Sequence, residues 1–131
     1  NSVMAHNLHL LGLYFYKQEW IDKSQKMMQT MASQIIESQA PDFYSMWCQV
    51  YLDHVNPPFE VAVVGQDADV KVKELLGNYV PNAIVLGGKD EGTLELLEGK
   101  LQEGATMIYV CRNKVCKLPV TDVEKALTMI K

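Results

Sequence analysis

The chain has 131 residues, enough for one ordinary domain or two small units, and its 48% apolar and 21% charged content is normal for a globular protein. A net charge of -4 gives no basic footprint for nucleic acid, and no polybasic run seeks anionic lipid. No apolar run reaches the length of a membrane span, and three cysteines do not make a disulfide framework. Seven methionines and few cysteines fit a reducing cytoplasm, which is the expected location. The chain opens on Asn1 rather than on methionine, so we read it as a piece of a longer protein.

The first half reads as helices. A first helix is expected from Ser2, as N-cap, to Tyr16. Met4, Leu8, Leu11 and Phe15 form one apolar stripe, and Leu10, Leu13 and Tyr14 much of another. A helix apolar on most of its circumference should be buried on most of it. Two following helices are few partners for that, so more helices are expected around it. The second helix runs from Glu19 to Ser38, with Trp20, Met27, Met31 and Ile35 at helical spacing. After Pro41, the residues Phe43, Trp47, Val50 and Tyr51 give a third helix ending near Asp53. Asn56, Pro57 and Pro58 close this half.

From Phe59 the period changes. "FEVAVVG" reads as a buried strand, "DADVKVKELLGNY" as a helix capped by Asp67, and "AIVLGG" as a second buried strand. Strand, helix and strand in about thirty residues make a βαβ unit with parallel strands. A weak acidic helix is expected over Thr93 to Gln102. "ATMIYVC" and "VCKLP" give a third strand and a short fourth, and a helix runs from Asp122 to Ile130. The fold class is therefore α+β in two parts. Helices over 1–57, expected to pack against further helices, precede a small α/β unit over 58–131 with a mixed sheet in the order βαβ(α)ββα. That order is compatible with a thioredoxin-like sheet or a flavodoxin-like fragment. A thioredoxin active site is absent: no C-x-x-C opens the helix after the first strand, and no proline precedes the third.

The chemistry-bearing residues are few. Cys111 and Cys116 flank "RNKV", read as a four-residue hairpin loop. That loop sets the cysteines opposite each other, with Cα atoms roughly 4.5–5.5 Å apart. Two reduced thiols, a disulfide or redox pair, and two ligands of a metal all fit this geometry. No second cysteine pair completes a zinc site, and no metal is expected. Thr121 and Glu124 fit a capping box for the last helix. "VVGQDAD" lacks the further glycines of a dinucleotide fingerprint, and "GGKDEGTL" lacks the Lys-Ser or Lys-Thr pair of a phosphate loop, so no cofactor is expected. Asn1, Ser2, His6 and Asn7 stand in or beside an otherwise apolar helix, either as capping and satisfied polar groups or lining a cavity with further helices. His9 and His54 read as ordinary surface or rim residues.

"NSVMAHNLHLLGLY", "YVPNAIVL" and "YVCRNKVCKLPVTD" together resemble the C-terminal part of the YyaL-like, spermatogenesis-associated thioredoxin-domain proteins. That family carries an N-terminal thioredoxin-like domain, a helical barrel resembling six-hairpin glycosidases and N-acylglucosamine 2-epimerases, and a small α/β region. The resemblance implies a tail made of the last barrel helices plus the α/β unit. Its implied partners are the rest of its own chain, with self-association through the first helix when that is missing. It also implies that Asn1, Ser2, His6 and Asn7 sit on a late barrel helix. Three functions stay open: a non-catalytic region that stabilises the barrel, part of a carbohydrate-active pocket, and a redox or metal module using Cys111 and Cys116.

Overall fold

The computed structural model describes residues 1–130. They form an α+β protein in two compact units, Asn1–Pro57 and the chain from Pro58 onward.

The first unit holds α1 (Ser2–Tyr14), α2 (Gln18–Ser38), a 3-10 turn (Pro41–Tyr44) and α3 (Ser45–Val55). Asn1, not Ser2, is the N-cap of α1, and it makes no side-chain capping bond. The helix closes with a left-handed residue, Tyr16 (φ 50°), while Lys17 N–H donates back to the Gly12 carbonyl. This six-to-one bond is the Schellman ending, and it folds the chain back on itself at once. Gly12 makes the reversal possible, because a Cβ there would lie 2.5 Å from Cγ1 of Ile21 on α2. Ala5, Met28, Trp47 and Val50 form the core of this unit, with Met27, Met31, Ile35 and Tyr44 packed around them.

The second unit holds β1 (Phe59–Val64), α4 (Ala68–Leu76), β2 (Ala83–Gly88), β3 (Met107–Arg112), β4 (Val115–Cys116) and α5 (Val123–Met129). The sheet order is β2-β1-β3-β4. β1 runs parallel to β2 and antiparallel to β3, and β3 is antiparallel to β4. All six residues of β1 are buried, Glu60 among them, as suits a central strand of mostly apolar residues. Phe59, Val61, Val63, Ile108 and Val110 face Ala68 and Leu75 of α4 and Val123 and Ala126 of α5. By the period of two, Glu60, Ala62, Tyr109 and Cys111 point to the opposite face. Gly65, at φ 135°, turns β1 into α4, and a Cβ there would meet Thr106 at 2.6 Å.

Three local expectations are corrected. Thr93 to Gln102 form turns rather than a helix. Gly92, Gly99 and Gly104 all adopt positive φ, and the adjacent Leu96 and Leu97 are both buried, so the segment wraps inward instead of presenting one helical face. The cap of α5 is Asp122, whose Oδ1 accepts from the Lys125 amide at 2.9 Å. Thr121 lies one residue outside the helix and Glu124 is exposed in its first turn, so the Thr121–Glu124 capping box does not form. The loop between Cys111 and Cys116 is shorter than four residues. Arg112 pairs with Val115, leaving a two-residue turn of Asn113 (φ 51°) and Lys114 (φ 65°). Two positive φ values match the right-handed twist of the strands, so the tighter turn wins.

Candidate functional site

Cys111 and Cys116 are register partners across β3 and β4 and form a disulfide, with Cα atoms 3.8 Å apart. The reading as two reduced thiols is corrected. While bridged, the pair offers no thiolate ligands to a metal. Among the described residues no three His, Cys, Asp or Glu side chains are placed to hold a metal ion. The two halves of the bridge differ. Cys111 is buried beside Glu60, its partner on β1, and Glu60 is itself buried. Cys116 is exposed on the last strand of the sheet. Cys48, on α3, is a free thiol.

Asn1, Ser2, His6 and Asn7 do not share one face. Asn1 and Asn7 are exposed, and Asn1 edges a shallow cavity of about 170 Å³ with Met27, Thr30, Met31 and Trp47. Ser2 is half-buried. His6 turns the other way, its Nε2 3.3 Å from Oδ2 of Asp53 on α3. That spacing suits an ion pair, but the alignment is not that of a hydrogen bond. Asp53 also accepts from Gln49 Nε2 at 2.7 Å.

His6 is one end of a polar cluster inside the helical unit. His9, only 2% exposed, stands edge-on to His54 with ring centroids 4.3 Å apart. His54 Nε2 lies 3.1 Å from Oγ of Ser24, which is fully buried on α2. Neither ring nitrogen of His9 has a partner. Burial, reinforced by His54, pulls the His9 pKa down to about 4, while Asp53 pulls the other way. Burial also lowers His54, again against Asp53. Both rings are thus held neutral near pH 7. Ser24 and His54 have the spacing of a nucleophile and its base. No substrate reaches a fully buried hydroxyl, and the cluster's carboxylate lies against His6 and not hydrogen-bonded to His54, so the arrangement is a polar core and not a triad.

The expectation that His9 and His54 lie at the surface or rim is therefore corrected for His9, which is buried. The inward line of α1 is Ala5, His9 and Gly12, and the large apolar residues Val3, Met4, Leu11 and Phe15 face outward. Small residues at positions 5 and 12, bracketing a histidine, carried the signal. They allow close approach to α2, where bulk would not fit.

In the second unit a cleft of about 370 Å³ opens past the C-terminal ends of β1 and β2, lined by Gly65, Asp67, Lys89, Gln102 and Thr106 among others. Open α/β sheets bind ligands in this place. Here the Asp67 amide at the start of α4 is already taken by Thr106 Oγ1 at 3.0 Å, and the cleft holds no thiol.

No family model matches the chain, and neither a curated protein nor a solved structure matches it. Among the described residues no helix is long and apolar enough to cross a membrane.

Proposed function

We propose that this chain is a non-catalytic C-terminal region of a larger multidomain protein, whose helical unit packs against further helices of the same polypeptide and stabilises them. The observation that supports the reading is the inverted α1. Its buried line is Ala5, His9 and Gly12, while Val3 and Met4 are 58% and 57% exposed and Leu11 and Phe15 lie on the same outward side. A surface helix normally does the reverse. A second apolar opening of about 340 Å³, between α2 and α3 and lined by Met28, Ala32, Ile35, Ile36, Cys48 and Tyr51, agrees with it. The resemblance of the sequence motifs to the tail of the YyaL-like family names the partner: the glycosidase-like helical barrel. The expected cytoplasmic location belongs to the same reading.

The test is a pair of outward substitutions, Met4→Ser and Leu11→Ser, at positions exposed on α1. The 131-residue chain should bind an apolar dye and self-associate at high concentration, and the double variant should lose both while melting at an unchanged temperature. A monomer that binds no dye, or a double variant that melts far lower, would show that the face is not a docking surface.

A further inference from the structure

Cys111 and Cys116 are joined, yet the bridge is not what holds their hairpin. The chain after β4 stays on β3 through backbone bonds of its own. Lys117 N–H donates to the Val110 carbonyl at 2.9 Å, and Ile108 and Val120 exchange two bonds at 2.7 and 3.0 Å. The disulfide closes a loop with a sequence separation of only 5. A loop that short removes little freedom from the unfolded chain, so its stabilising effect is at the low end for disulfides. These backbone bonds do not depend on the sulfur–sulfur bond and remain when it opens.

The two sulfurs are unequal in ways that matter for exchange. Cys116 is exposed; Cys111 is 1% exposed, with the buried Glu60 opposite it. An incoming thiolate therefore reaches Cys116. The fixed cations of the hairpin lie on the other face of the sheet, Arg112 with its guanidinium 4.7 Å from the centre of the Phe59 ring and Lys117 with Nζ 3.0 Å from the Met129 carbonyl of α5. Exposure, not local charge, therefore distinguishes the two sulfurs.

We propose that Cys111–Cys116 is a reversible thiol–disulfide site for a low-molecular-weight thiol of the glutathione type, with Cys116 the sulfur attacked and Cys111 the buried resolving thiol. In the reducing direction the thiolate of the small molecule bonds to Cys116 Sγ. The Cys111–Cys116 bond breaks, and Cys111 leaves with the electron pair and takes up a proton. A second molecule of the thiol then attacks the mixed disulfide at its own sulfur, forming oxidised glutathione and releasing the Cys116 thiolate. Two small-molecule thiols are oxidised as one protein disulfide is reduced. The oxidising direction is the reverse, with Cys111 expelling glutathione from Cys116.

The test equilibrates the native 131-residue chain in buffers of graded reduced-to-oxidised glutathione ratio, alkylates free thiols, and maps them by peptide mass spectrometry beside circular dichroism. The two cysteines should open and close together with one midpoint and an unchanged spectrum. Cys111→Ser should accumulate glutathione on Cys116, about tenfold more than Cys116→Ser accumulates on Cys111, because exposure governs exchange. A bridge that opens only in denaturant, a spectrum that collapses on reduction, or equal adducts on both cysteines would overturn the proposal.

Discussion

At the scale of single residues, His9 is the position with the largest consequence. It is buried, unpartnered and neutral, with a pKa near 4 against 6.5 for a free histidine. The sign follows from linkage. Between those two values the unfolded chain binds a proton that the folded unit refuses, so stability is intact above pH 6.5 and falls as the pH drops from 6.5 towards 4. The loss should be on the order of 2 kcal/mol, given 1.36 kcal/mol for each pKa unit and some relaxation around the ring. Urea denaturation at about pH 7 and about pH 4.5 measures it. His9→Leu should flatten that slope, and an unchanged slope would place the acid sensitivity elsewhere, His54 being the next choice because burial lowers it as well. The sequence showed these histidines but not their burial, since the surroundings of His9 come from α2 and α3 and not from its own helix.

At the scale of elements, the helices and strands were legible because each has a period or a terminator of its own. α2 follows its Met and Ile spacing, and β1 its apolar, β-branched run interrupted only by Glu60. The ends were less legible where two residues compete for one role. Asp122 and Thr121 both suit an N-cap, and the core chose between them. With Asp122 as cap, Val123 and Ala126 both face the sheet. Asp122→Ala should lower stability by about 1 kcal/mol, whereas Thr121→Ala should change it by less than about 0.5 kcal/mol. Thermal melts of the two variants, side by side, decide the assignment. In the hairpin, Lys114 sits at φ 65°, a conformation that glycine adopts without steric cost. Lys114→Gly should therefore stabilise the second unit by roughly 0.5–1 kcal/mol in a urea titration. A loss of stability would mean that the Lys114 side chain contributes more than its backbone strain costs.

At the scale of the whole molecule, the outward face of α1 sets how the chain behaves alone. Full burial of one large apolar side chain contributes about 1.5–3 kcal/mol, and Val3, Met4, Leu11 and Phe15 are each about half exposed already. Their combined gain in a homodimer is then several kcal/mol, against an association cost of at least about 4 kcal/mol. Self-association should therefore be weak, with Kd near the millimolar range, and sedimentation across a wide concentration series should show it. The same face packed on helices of its own polypeptide avoids most of that cost, which is why a stable intramolecular contact and a weak dimer are compatible. By itself the sequence determined the α+β class, the change of period near Phe59 and the parallel pairing of the βαβ unit. These rest on local spacing and on loop lengths that leave few topologies. Only the tertiary structure decided which side of α1 faces inward, which residue caps α5, and that Cys111 meets Cys116 with one sulfur buried and one in water. Each of those depends on what a neighbouring element places opposite a side chain, and a one-dimensional pattern does not contain that.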